Sequence, residues 1–246
     1  MAKSDITHFS REINFQKAYT EFSGIFHSIP PELQSEVINA SFFMASTLMS
    51  GHTEPHNMKH HVRVYKNALV IFFEMSQSAS LHKMEDQEYL RLFNMISCAS
   101  LLHDAINDKH AENVKANAEM LEKFLERDPI KSIGPSIMWI INNISVLPKI
   151  KHEDELVQED ELVQMARDVV SDADKLEALG ESGLIRSYQD IRNQYPMASH
   201  EEIIHILKVH CREKLLKLSD CIQTPEAKKM ATTGHDFIVD YLRRQS

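Results

Sequence analysis

The sequence predicts an all-α protein, and three features of its composition and spacing support this fold class. Its 246 residues include only six glycines and eight prolines, about half of the usual share of roughly 12%, so turns are few and regular elements are long. Apolar residues recur at intervals of three and four over most of the chain, which is the spacing of one helix face. No segment shows the apolar–polar alternation between hairpin turns that half-buried strands require.

Helix breakers and caps set the order of the predicted elements. A first helix ends before Pro30 and Pro31, because proline lacks an amide donor and disfavours helical geometry in the residue before it. The spacing of Ser199 and Glu202 is that of a capping box, and Pro225 suits the first turn of a last helix. The helices predicted between these points cover 32–50, from about 57 onward, 86–106, 109–125, 135–147, 162–179 and 199–221.

Charge and hydropathy exclude several classes of protein. The net charge of −9 repels phosphodiester backbones, so non-specific binding of nucleic acid is not expected. The longest apolar run, 68–73, is far shorter than the roughly 20 residues of a membrane-spanning helix, and the N-terminus lacks the apolar segment of a signal peptide. The sequence therefore predicts a cytoplasmic protein with no membrane contact. Its three cysteines, Cys98, Cys211 and Cys221, are expected to be free thiols.

No repeat, low-complexity tract or flexible linker divides the chain. We therefore expect residues 1–246 to form a single domain. The chemistry-bearing motifs lie within about 51–190, and the segments 1–50 and 191–246 are expected to add flanking helices. The composition is compatible with a homodimer.

Two groups of histidines stand on helices that otherwise resemble core helices. His56, His60 and Arg63 are spaced by four and three residues, so they share one helix face. His103 and Asp104 directly follow a largely apolar helix, where a carboxylate is costly unless it is paired or bound to a metal. A lone histidine of this kind is usually an ordinary surface or core residue. The joint occurrence of the groups is what favours a metal site.

A third group lies in the predicted helix 162–179, where Asp172 and Asp174 interrupt an apolar stripe. Together, the three segments resemble the successive motifs of HD-domain metal-dependent phosphohydrolases, most closely the bacterial members that act on nucleotides. The quoted residues are His60-x-x-Arg63-Val64, Leu101-Leu102-His103-Asp104 and Asp172-Ala173-Asp174-Lys175-Leu176-Glu177-Ala178-Leu179-Gly180. The resemblance covers about 51–190 and implies an HD-domain helical bundle, here with additional N- and C-terminal helices.

The resemblance implies a metal site. Its ligands would be His60, His103, Asp104 and one aspartate of the third motif. The family pattern points to Asp174, whereas the apolar stripe of the helix contains Asp172, and the two positions lie roughly 200° apart around a helix. Asp174 is the preferred fourth ligand, with Asp172 as the alternative. Two imidazoles and two carboxylates suit a divalent ion such as Mn²⁺, Mg²⁺, Ni²⁺, Co²⁺ or Fe²⁺.

The same resemblance implies hydrolysis of a phosphomonoester or phosphoanhydride bond by a metal-activated water. Asp104 and Asp108 are candidates for handling the proton of that water. Arg63 and Lys109 are candidates for stabilising charge on the phosphoryl oxygens. The residues expected to bind the substrate are Arg63, Lys109, Arg186 and His56.

The predicted function is therefore that of a metal-dependent phosphohydrolase of a small phosphorylated metabolite, a nucleotide in the first place. Two alternatives remain. One is a non-catalytic HD module that senses a metal or nucleotide or binds a partner protein. The other is an HD-type di-iron oxygenase, which would need further histidines from among His56, His61 and His110.

Overall fold

The computed structural model describes residues 3–49, 58–77, 81, 83–106, 114–144 and 160–244, with side chains from Phe15 onward. Helices are the only regular elements in these ranges, and the prediction of an all-α protein is confirmed. The α-helices are α1 (Lys3–Ser28), α2 (Glu36–Leu48), α3 (Met58–Ser76), α4 (Asp86–Leu102), α5 (Val114–Leu125), α6 (Gly134–Asn143), α7 (Glu161–Ala178), α8 (Gly180–Gln194), α9 (His200–His210), α10 (Leu216–Leu218) and α11 (Pro225–Arg244).

Two helix boundaries near the N-terminal half differ from the sequence prediction because local hydrogen bonds compete with the helix. α2 begins at Glu36 and not at residue 32, since the Ser35 side chain caps it by accepting a hydrogen bond from the Val37 amide at 3.2 Å. α4 ends at Leu102 and not at residue 106, since the Ala105 amide donates to the Leu102 carbonyl at 3.0 Å and tightens the chain into a turn.

The C-terminal elements confirm the predicted helix starts. Ser199 and Glu202 form the capping box of α9, and Pro225 begins α11. The chain is helical up to Cys221 as predicted, but it is not one regular α-helix, because a π-helical turn, Cys211–Leu215, follows α9 and a 3₁₀ turn, Ser219–Cys221, follows α10. The predicted helix limits at 109 and 147 lie outside the described residues.

Three helices form the centre of the described structure. α3, α4 and α7 each pack against the other two. Their shared interface is dry and close-packed, with Val62, Tyr65, Leu101, Val169 and Ala173 all fully buried. The mutual packing brings the first turns of α3, the end of α4 and the last turns of α7 together, although these segments are far apart in the sequence.

The remaining helices cover this centre on several sides. α1 packs on α3, α2 on α4, and α6 on both α4 and α7. α8 and α11 pack on each other and on α7. The described helices include none with the length and hydropathy needed to cross a bilayer. Cys98, Cys211 and Cys221 are free, as the sequence predicts.

A close backbone approach lies where α11 crosses the junction of α7 and α8. Gly180 adopts a φ of +74°, which is strained for residues with a Cβ atom. A Cβ atom on Gly234 of α11 would lie 2.9 Å from the Leu179 Cβ and 3.1 Å from the Gly180 amide nitrogen. A side chain at position 234 would therefore push α11 away from this junction.

We expect Gly234→Ala to lower the free energy of unfolding by about 1–3 kcal/mol, the usual cost of overpacking a close contact. Gly24→Ala on α1 is the matched control, since no atom lies within 4 Å of its added Cβ. The control should raise the free energy of unfolding by about 0.5–1 kcal/mol through helix propensity. Urea denaturation measures both, and a shift of the same sign in the two variants would contradict the close approach.

Candidate metal centre

Two buried histidine rings face each other where α3 meets the end of α4. The Nε2 atoms of His60 and His103 are 3.1 Å apart, and both side chains are almost fully buried. Each ring has a hydrogen-bond acceptor near its other nitrogen: His60 Nδ1 lies 3.2 Å from Glu177 Oε2, with the guanidinium donor Arg186 Nη1 also 2.7 Å away, and His103 Nδ1 lies 2.9 Å from the Ser100 carbonyl oxygen. When both Nδ1–H groups donate, two Nε2 lone pairs point at each other. Such lone pairs repel unless a cation lies between them.

Two carboxylates complete the group around these nitrogens. Asp104 Oδ2 lies 3.7 Å from His60 Nε2 and 3.6 Å from His103 Nε2. Asp174 Oδ1 lies 3.4 Å and 3.9 Å from the same two atoms. Neighbouring ligands of an octahedral ion held at about 2.1 Å are about 3 Å apart, so a contraction would bring the atoms of His60, His103 and Asp104 to one ion, whereas Asp174 is close to the two histidines but does not belong to this three-residue group. His60, His103 and Asp104 each offer a ligand atom within 4.8 Å of the others.

The group is closed on one side and open on the other. The side chains of His60 and His103 are 3% and 2% exposed, whereas those of Asp104 and Asp174 are 17% and 42% exposed. The imidazoles therefore form a dry floor, and the carboxylates form the wall that borders solvent. Among the described residues, the carboxylate side is the one open to water and substrate.

The end of α4 explains how two adjacent residues reach one point. Consecutive residues of a helix diverge by about 100°, which would separate His103 from Asp104. Because α4 ends at Leu102, both residues lie in the turn that follows, and both side chains approach the Nε2 atom of His60 on α3.

Glu177 lies behind His60 and connects three helices. Its buried carboxylate accepts hydrogen bonds from Arg63 Nη1 of α3 at 2.9 Å and forms an ion pair with Arg186 Nη1 of α8 at 2.5 Å, besides its contact with His60. Burial raises the pKa of Glu177, but the hydrogen bond to His60 and the charges of Arg186 and Arg63 outweigh this, so the pKa lies below its usual value. Glu177 is therefore ionised and orients the His60 ring.

The pKa of His60 also indicates that its surroundings stabilise a positive charge. Burial lowers the pKa of His60, but hydrogen bonds to Asp104 and Glu177 and the charge of Asp174 raise it to about 9. The region between the two rings thus favours a cation, either a proton or a metal ion. A buried imidazole whose other nitrogen faces a carboxylate is a common ligand of a bound metal.

Similar proteins share this helical arrangement. No protein-family model matches the chain. The uncharacterised protein YpgQ of Bacillus subtilis is 25% identical over 161 residues, which are 65% of this chain and 74% of YpgQ. The crystal structure of YpgQ in complex with ADP has a TM-score of 0.60 at 21% identity and covers 85% of this chain and 93% of YpgQ. An HD-superfamily hydrolase from Bacillus thuringiensis has a TM-score of 0.54 at 22% identity, with coverages of 85% and 94%. This chain has the HD fold.

The HD fold places the four preferred ligands of the sequence prediction in one group. His60, His103, Asp104 and Asp174 come together with the distances given above. The resemblance to HD-domain phosphohydrolases is thus confirmed at the level of the fold. Their role as metal ligands remains a proposal.

Asp172, the alternative fourth ligand, lies elsewhere in the HD fold. It is fully buried, and its carboxylate accepts hydrogen bonds from the Gln223 amide and from the amide and hydroxyl groups of Thr224, at 2.7 to 3.1 Å. The Thr224 hydroxyl in turn accepts from the Ala227 amide at 3.3 Å and caps the start of α11. Asp172 therefore joins α7 to α11.

The other predicted site residues divide into two groups. Arg63 and Arg186 lie beside the candidate metal centre, each with one guanidinium nitrogen on Glu177. His56, Asp108 and Lys109 lie outside the described residues.

Glu177 had no predicted role, although it belongs to the third motif. A signal was present in the sequence: Glu177 follows Asp174 by three residues, so both lie on one face of α7. Its partners could not be predicted, because Arg63 and Arg186 come from α3 and α8 and meet it only in the folded chain.

Substitutions of the two neighbouring aspartates of α7 should have different effects, one on the stability of the protein and the other on ion binding. We expect Asp172→Ala to lower the free energy of unfolding by about 2–4 kcal/mol, because it leaves the N–H group of Gln223 and the buried N–H and hydroxyl groups of Thr224 without this acceptor. Asp174→Ala should change stability by less than about 0.5 kcal/mol and weaken the binding of Mn²⁺. Urea denaturation and calorimetric titration measure the two effects. Equal losses of stability would contradict the distinction.

Glu177→Gln tests the carboxylate behind His60. We expect the affinity for Mn²⁺ to fall about 10- to 100-fold, the usual effect of losing a hydrogen-bond partner of a ligand histidine. Glu181→Gln, which changes an exposed glutamate of α8, is the control and should leave the affinity unchanged. Calorimetric titration of metal-depleted protein compares the three chains. An unchanged affinity in Glu177→Gln would show that the His60 ring needs no carboxylate behind it.

Proposed function

We propose that this protein is a divalent-metal-dependent phosphohydrolase of small phosphorylated metabolites, with nucleotides as the substrate class. The observation that carries the proposal is the 3.1 Å approach of two imidazole Nε2 atoms, bordered by two carboxylates that open towards solvent. His60, His103, Asp104 and Asp174 would hold the ion. Two nitrogen and two oxygen donors fit Mn²⁺, Fe²⁺, Co²⁺, Ni²⁺ or Mg²⁺ and leave positions for water and substrate.

The balance of charge around the candidate metal centre supports an anionic substrate. Three carboxylates, on Asp104, Asp174 and Glu177, face two guanidinium groups, on Arg63 and Arg186. These five groups leave one net negative charge. A divalent cation would turn it into a net positive charge, which favours the binding of phosphate groups.

A divalent ion in this group supplies a Lewis acid that lowers the pKa of a water and polarises a phosphoryl oxygen. The chain itself orients the reactants. Glu177 and the Ser100 carbonyl fix the ring orientations of His60 and His103. Arg63, whose side chain is 40% exposed, keeps donors free to contact a substrate phosphate, whereas the more buried Arg186 holds Glu177.

The nucleotide class rests on similarity. YpgQ, whose fold this chain shares, was crystallised in complex with ADP, and the HD fold also occurs in the superfamily hydrolase of Bacillus thuringiensis. A small nucleotide also agrees with the acidic surface, which disfavours long nucleic acids. His56, Asp108 and Lys109 remain predicted contributors to substrate binding and proton transfer.

The test is a screen of nucleoside mono-, di- and triphosphates with added Mn²⁺, Mg²⁺, Co²⁺ or Ni²⁺, with release of phosphate or pyrophosphate as the readout. We expect turnover that requires the metal and that falls at least about 100-fold in His103→Ala. His205→Ala, which removes an exposed histidine of α9, is the control and should retain full turnover.

Two results would overturn the proposal. Equal turnover in His103→Ala and wild type would show that hydrolysis does not use this group. Nucleotide binding without turnover under every metal condition would favour the alternative of a non-catalytic sensing module.

A further inference from the structure

His61 lies beside the two facing rings and has no place in the proposed ligand set. It is fully buried on α3, and its ring centroid lies 5.7 Å from that of His60 and 4.8 Å from that of His103. Its Nδ1 atom lies 2.8 Å from the Leu101 carbonyl oxygen at the end of α4. His61 therefore contacts the backbone immediately before the turn that carries His103 and Asp104.

The Leu101 carbonyl needs a donor from outside its own helix. In a continuing helix, the amide of Ala105 would donate to Leu101. Here the Ala105 amide donates to Leu102 instead, at 3.0 Å, because the chain tightens into the turn that presents His103. The last carbonyls of a helix require other partners, and the His61 Nδ1–H group supplies one.

This hydrogen bond also determines the state of the His61 ring. Since Nδ1 donates to a carbonyl, the ring is the Nδ1–H tautomer. Its Nε2 atom is buried and has no hydrogen-bond partner among the described residues. The interaction that favours histidine at this position is therefore the one at Nδ1.

We infer that His61 is a positioning residue that sets the spacing of the two ligand histidines by tying α3 to the end of α4. His60 precedes His61 directly on α3, and His103 follows Leu101 by two residues. One hydrogen bond thus links the backbones that carry the two facing Nε2 atoms. The inference rests on the proposed metal site and names a residue that supports it without touching the ion.

Three substitutions distinguish the donor from the bulk of the ring. In His61→Asn, the side-chain NH₂ group can take the place of Nδ1–H and donate to Leu101. In His61→Gln, the amide group reaches the place of Nε2, and in His61→Leu no donor remains. Tyr65→Phe is the control, since Tyr65 lies one turn further along α3, is equally buried, and its hydroxyl has no hydrogen-bond partner among the described residues.

Calorimetric titration of the metal-depleted full chain with Mn²⁺ gives the first readout. We expect the affinity to fall about 10- to 100-fold in His61→Leu and His61→Gln, and to stay within about threefold of wild type in His61→Asn and Tyr65→Phe. Wild-type affinity in His61→Leu, or equal losses in His61→Asn and His61→Leu, would overturn the inference and leave the proposed function intact. A wild-type chain that binds no divalent ion would overturn both.

A second readout needs no variant and no metal. Long-range ¹H–¹⁵N correlation spectra of the wild-type histidine rings distinguish the two neutral tautomers. We expect a proton on His61 Nδ1, protected from exchange with solvent. An Nε2–H tautomer, with no proton on Nδ1, would overturn the inference even where the substituted chains fail to fold.

Discussion

The candidate metal centre depends on a fixed tautomer at each of two histidines. An imidazole can direct a lone pair at a cation only when its other nitrogen carries the proton, and that proton needs an acceptor in a dry interior. The Glu177 carboxylate is the acceptor beside His60 Nδ1, which Arg186 Nη1 also approaches at 2.7 Å, and the Ser100 carbonyl is the acceptor for His103. These two acceptors convert a pair of buried rings into two ligands that face each other at 3.1 Å. The packing of α3, α4 and α7 brings the two imidazole rings within hydrogen-bond distance of these acceptors.

Glu177 carries more than one part of this arrangement. A buried carboxylate is costly alone, and here two guanidinium groups and one imidazole offset the cost. The same contacts tie α3 and α8 to α7, so the group that orients a ligand also holds three helices together. Such a network is stabilising only while all of its members remain paired. Displacement of α3 or α8 from α7 would therefore also remove the carboxylate that orients the His60 ring.

The sequence was sufficient for the fold class and for the residues with strong local patterns. Local sequence alone reveals the apolar periodicities, the scarcity of turn residues and the His103–Asp104 pair. Helix ends were harder to predict, because Ser35 and Ala105 redirect hydrogen bonds in ways that apolar spacing does not reveal. The π-helical turn at Cys211–Leu215 belongs to the same class of local exceptions.

The two aspartates of α7 illustrate what sequence patterns can distinguish. The apolar stripe correctly indicated that position 172 is buried, and the motif pattern pointed to Asp174, which lies beside the histidines. Neither pattern could show that the partners of Asp172 are amides and a hydroxyl some fifty positions later in the chain. Glu177 is similar, since its guanidinium partners come from other helices. Contacts between distant segments leave no periodic trace in the sequence.

The hydrogen bonds of Asp172 have a consequence for the way the molecule opens. Fraying of α11 from its first turn would strip a fully buried carboxylate of all its backbone donors, on the same helix that carries Asp174 and Glu177. The two ends of this contact should therefore open together, as one cooperative unit in hydrogen exchange. The C-terminal helices then act as part of the scaffold of the site and not as an appendage to it.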